Sequence, residues 1–122
     1  MNSIENDIDV VESGYEFLLA YAAQGRPPHV EEEGPKPHAR PTITDMLAAL
    51  ERINGQLAGS KNEFDQLLSS DIQKAATALR FVLAQARMSS ELVDNLNASI
   101  HLRTVLTDFF LYSEQFEVES TS

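Results

Sequence analysis

Between Ser89 and Phe116 the chain runs without a glycine or a proline and carries three of its six phenylalanines. Its apolar residues keep helical spacing there, but on two faces. Leu92, Leu96 and Ile100 form one stripe; Leu102, Val105, Phe109, Tyr112 and Phe116 form another. At ~100° per residue these stripes point roughly 160° apart. A helix on the surface of a small bundle has use for one apolar face, so one of two arrangements is required. Either the rest of the chain encloses this segment, or half of it meets a second molecule. The second arrangement makes Leu102, Val105, Phe109, Tyr112 and Phe116 an interface in a homo-oligomer.

The chain has 122 residues, enough for one domain with a modest core. There is no cysteine, which excludes disulfides, thiolate chemistry and metal sites built on Cys ligands. Stability has to come from packing. No apolar run approaches the ~20 residues that span a bilayer. The first residues are acidic where a secretory signal would be basic and then apolar, so a cytoplasmic protein without membrane association is expected.

The formal net charge of −10 argues against direct binding to a nucleic-acid backbone, which calls for clustered Lys and Arg. Residues 1–24 hold Glu5, Asp7, Asp9, Glu12 and Glu16 with no basic residue, and residues 89–122 hold six acids against Arg103. Two acidic ends repel when packed side by side. The nearly neutral 60–88 segment is therefore expected to lie against at least one of them.

In the first helix Ile4, Ile8, Val11, Tyr15, Leu18 and Ala22 alternate steps of four and three, a helical seam that Val10, Gly14, Phe17 and Tyr21 widen. Asn2 or Ser3 can cap its start. Gly25 ends it, and Pro27 and Pro28 prevent continuation. All five prolines fall within 25–41, together with His29, His38 and the acidic run Glu31 to Glu33. This segment reads as a long, extended crossover that leaves the orientation of its flanking helices open. Thr42 with Asp45 predicts the next helix start, and Ser60 with Glu63 predicts a further one in a full capping box. Gly55 and Gly59 separate the two, although the heptad phase also permits one helix over 42–87. Met88 to Glu91 reads as a turn and a new N-cap. Residues 117–122 read as a frayed tail. There is no repeat and no alternating strand pattern. An all-α bundle of about four helices, with a long Pro-rich crossover after the first, is the expected fold.

Several constellations can be weighed for chemistry. His29, Glu31, Glu33 and His38 are types that ligate divalent metals, but a metal site needs ligands fixed by surrounding structure, and a proline-rich loop supplies little. The solvated loop is the expected reading, with no metal and no cofactor. His101, a helical histidine in a small acidic bundle, resembles the phosphohistidine position of a histidine phosphotransfer domain. That family keeps a small residue, usually glycine, close after the histidine, where this chain has Arg103 and Thr104, and its usual Lys-Gly pair is missing. A packed or half-exposed helical histidine is the expected reading. No Gly-rich phosphate loop, nucleophile elbow or H-E-x-x-H helix occurs, and the acids fall on stripes that read as solvated faces. A non-enzymatic protein is expected.

The remaining signal is surplus surface of two kinds. Glu5, Asp9, Glu12 and Glu16 repeat as an acidic stripe on the first helix. Phe17 and Tyr21 flank its seam, and Phe81 lies well away from the seam of the third helix. Aromatics outside a core stripe are where interfaces concentrate energy. These seven residues are the expected contact surface for a basic protein partner. The expected function is that of an assembly factor, chaperone or adaptor, with an acidic regulator that sequesters a DNA-binding protein as the alternative.

Overall fold

The computed structural model describes residues 3–24 and 38–121. Every element among them is helical: α1 Ser3–Ala22, α2 Ala39–Leu57, α3 Glu63–Leu83, α4 Ser90–Asn97 and α5 Ile100–Thr121. The all-α expectation holds, with five helices in place of four. The segment read as one helix from Ser89 is broken at Ala98 and Ser99. The N–H of Ala98 bonds back to Asp94 and that of Ser99 to Leu96, while the Ser99 carbonyl accepts from Arg103 and starts α5. Across this break the first stripe buries Leu96 and part of Leu92 but leaves Ile100 exposed, whereas the second buries Leu102, Val105 and Phe109. Val93 and Leu96 of α4 are buried, and so are Leu102, Val105, Leu106 and Phe109 of α5.

Contacts along the helices give an antiparallel ring. On α1 and α2, Ser3 donates to Gln56 Oε1 at 3.1 Å, and the Asp7 carboxylate accepts from Arg52 Nε at 2.9 Å. Further along, a methyl added at Gly14 would lie 2.5 Å from Met46 Cγ, so the missing side chain is what lets α1 and α2 approach here. On α2 and α3, the Arg40 guanidinium donates to the carbonyls of Leu83 at 2.7 Å and Gln85 at 3.0 Å, satisfying acceptors that the end of α3 leaves open. On α3 and α5, Phe64 stacks on Tyr112 with ring centroids 6.3 Å apart. The expectation about charge holds: α3 lies against acidic α5, whereas α1 packs chiefly on α2 and α4 and barely touches α5.

The helix boundaries differ from the sequence reading in four places. Helix α2 begins at Ala39, so the segment between α1 and α2 is shorter than 25–41. Pro41 sits in its first turn, where a missing N–H costs no intrahelical bond. Helix α3 is capped by Asn62, whose side chain accepts from Phe64 N and Asp65 N. Ser60, expected as that cap, instead donates to Asp65 Oδ2 at 2.7 Å. The left-handed backbone of Gly59, φ 81°, separates α2 from α3 and removes the single-helix alternative. Helix α5 continues past Phe116 to Thr121, through residues read as a frayed tail. The N-cap expected at Ser89 is present, its Oγ accepting from Leu92 N at 3.0 Å.

Phe109 is 0 % exposed within the chain itself. Phe109→Ala is therefore expected to lower the free energy of unfolding by roughly 3–5 kcal/mol, by the same amount across protein concentrations. Urea titrations at several concentrations check this. A loss that shrinks as the chain is diluted would place Phe109 between copies.

Candidate protein-binding surface

The ring α1–α2–α3–α5 is tight along three of its seams and open along the fourth, between α5 and α1. That open seam forms a groove of about 390 Å³. Glu12, Tyr15 and Glu16 line it from α1; Arg103, Leu106, Thr107 and Phe110 line it from α5. Phe110 is 66 % exposed, and Leu111 beside it 61 %. The Tyr15 hydroxyl donates to the Asn97 carbonyl at 3.4 Å, tying this edge of α1 to the end of α4. Partial burial pushes the Glu12 carboxyl above its usual range, and the charges of Asp9 and Glu16 raise it further. Arg103 makes no ion pair with these acids among the described residues.

The expected contact residues separate on this frame. Asp9 and Glu16 are exposed, and Glu5 and Glu12 are partly buried. Phe17 is partly buried against the core, its ring 6.2 Å from that of Tyr21. Tyr21 is 1 % exposed and belongs to the core, so it is not a surface anchor. The buried residues of α1 are Asp7, Ile8, Val11, Gly14, Leu18 and Tyr21, so the seam read in the sequence is shifted toward its Gly14–Tyr21 flank. Phe81 is 66 % exposed, as expected for a residue outside its helix's seam. It stands on a different groove, between α3 and α4, well separated in the ring from the α1 acids.

The residues expected at an oligomer interface are likewise redistributed. Leu102, Val105 and Phe109 are covered by the chain itself. Tyr112 and Phe116 are partly buried, in edge-to-face contact at 5.6 Å. The apolar residues that α5 leaves outside are Ile100, Phe110 and Leu111. Phe110 was legible as an outlier, because neighbours on a helix point ~100° apart and two successive phenylalanines cannot share one core face. His101 lies in the first turn of α5 and is exposed, not mid-helix as read, because the helix begins only at Ile100. His38 is the residue preceding α2, while His29, Glu31 and Glu33 fall outside the described residues. Among the described residues no three His or carboxylate side chains are grouped to hold a metal. None of the described helices is long and apolar enough to cross a membrane.

Two carboxylates depart from the solvated faces assigned to them. Asp7 is 6 % exposed and pairs with Arg52 at 2.9 Å. Asp108 is also 6 % exposed, and it meets Asp71 of α3. Burial, followed by the hydrogen bond and charge of Asp71, pushes the Asp108 carboxyl up to about 7. Both acids could be located by phase: Asp7 lies four residues before Val11 on the buried stripe, and Asp108 falls between Val105 and Tyr112 on theirs.

The Asp71–Asp108 contact makes stability depend on pH with a definite sign. Asp108 titrates near 3.8 when unfolded and at about 7 when folded. Between those values the folded chain holds a proton that the unfolded chain lacks. The contribution is complete below the lower value and is lost as pH rises through the upper one. Urea midpoints of Asp108→Asn are expected to fall less than those of the unaltered chain between about pH 5 and about pH 8. Parallel profiles would show that the contact carries no proton. The chain matches no family model, no curated protein and no solved structure.

Proposed function

We propose that the chain is a non-enzymatic protein-binding factor, of the assembly-factor, chaperone or adaptor kind, whose α1–α5 groove takes a basic segment of its partner. The open seam carries this reading. Where the other seams of the ring are closed by apolar contact, this one sets the exposed ring of Phe110 and the partly exposed Tyr15 beside Glu12 and Glu16. Aromatic side chains within an acidic rim are the pairing that holds and steers a cationic protein segment. Relief of the crowding among Asp9, Glu12 and Glu16 by an incoming Lys or Arg favours the bound state further. Self-association belongs to the same reading, with Ile100, Phe110 and Leu111 as the apolar face left for a second copy.

The test begins with the proteins retained on mild purification and identified by mass spectrometry. Binding of the recovered partner is then measured against salt. Glu12→Lys with Glu16→Lys is expected to slow association about tenfold or more at low salt and to flatten its salt dependence. Phe110→Ala is expected to speed dissociation instead, because an anchor acts on the off-rate. Unchanged kinetics in both variants would remove the groove from partner binding. A recovered partner that binds DNA, and loses it to this chain, would favour the sequestering regulator over the assembly factor.

A further inference from the structure

The largest groove described on this chain lies on another side of the ring, between α3 and α4, and encloses about 670 Å³. That size falls within the range of small-molecule sites. Its walls are apolar: Ala78, Phe81 and Val82 from α3, Leu92 and Leu96 from α4. Its polar groups are Lys74 and Thr77 on α3, Asn95 on α4, and Ser99 and His101 at the start of α5. Among the described residues no carboxylate lines it, although the chain carries 19 acids against 9 Lys and Arg. Lys74 makes no ion pair among the described residues. Phe81 stands 66 % exposed on one wall.

From this lining we infer that the α3–α4 groove binds a small amphiphilic carboxylate, its apolar body along Phe81, Leu92 and Leu96 and its head on Lys74 and His101. The charge decides the class. A cationic ligand would find no counter-charge in the groove and would meet the Lys74 ammonium. A neutral apolar ligand would gain nothing from Lys74, which is exposed to water. A carboxylate accepts from the ammonium, and from the imidazole N–H that histidine presents in either protonation state. The site is separate from the α1–α5 groove and does not depend on the protein-binding reading.

Sodium decanoate, kept below its micelle-forming concentration, is the probe, with decanol as its neutral counterpart. Calorimetric titration of the full chain is expected to show saturable, one-to-one binding of decanoate, about tenfold tighter than decanol, the size of one partly exposed charge-assisted contact. Lys74→Gln is expected to remove that difference while leaving decanol unchanged, and Phe81→Ser to weaken both ligands alike. Asn95→Glu, which places a carboxylate in the lining, is expected to weaken decanoate more than decanol. Thermal melts show that each variant is folded. Absence of saturable binding, equal affinity for the two probes, or indifference to Lys74→Gln overturns the assignment. So does failure of decanoate to bind while Phe81→Ser turns an associated chain into monomers, since the groove then belongs to a second copy.

Discussion

The interruption at Ala98 and Ser99 is the constraint on which the fold turns. An unbroken helix from Ser90 to Thr121 would hold the Leu92–Leu96 stripe and the Leu102–Phe109 stripe on opposite sides, and one of them would face water. Ending α4 at Asn97 and restarting at Ile100 lets each stripe choose its own orientation. Val93 and Leu96 then seal the chain beside α1, while Leu102, Val105 and Phe109 fill the ring from α5. The cost of the break is a few backbone bonds, and local contacts recover two: Ala98 N–H to Asp94 and Ser99 N–H to Leu96. Burial of aliphatic and aromatic side chains at about 25 cal/mol per Å² outweighs them.

One seam of the ring stays open. Helices α1 and α5 are the two acidic ends of the chain, and they close the ring only loosely. Against α3, the near-neutral helix, α5 packs closely enough to bury Asp108. Asp71 faces it there, and burial together with that neighbour raises the Asp108 carboxyl. Nothing comparable joins α1 to α5, where Glu12 and Glu16 meet Arg103 and Phe110 across a groove. The loose seam leaves aromatic surface accessible beside acidic side chains, which is the chemistry a basic protein segment recognises.

Elsewhere charge is used to fasten elements at single points. Arg52 neutralises Asp7 at the α1–α2 seam, and Arg40 spans from the first turn of α2 to the last carbonyls of α3. In each case a long guanidinium side chain reaches a group whose desolvation would otherwise be unfavourable. These attachments set the register of an antiparallel ring whose apolar seams alone would tolerate sliding.

The periodicity of apolar residues was enough to establish helices and, at Gly59 and Ser89, where they separate. Those signals are local: a left-handed glycine and a side-chain cap act on their own backbone. Composition established equally well that the surface is acidic and that no thiol chemistry is present. The break at Ala98 was not legible, because neither Ala nor Ser forbids a helix and only the conflict between two stripes hinted at it. Nor was the rotation of α1, which sends Tyr21 inward and brings Tyr15 to the groove: Gly14 permits that rotation only because Met46 is there to fill the space. The burial of Asp7 and Asp108, the exposure of Phe110, and the two grooves with opposite charge character exist only once helices distant in sequence are set side by side. A side chain's spacing selects the face it occupies, but the neighbour that covers or uncovers that face belongs to the tertiary structure.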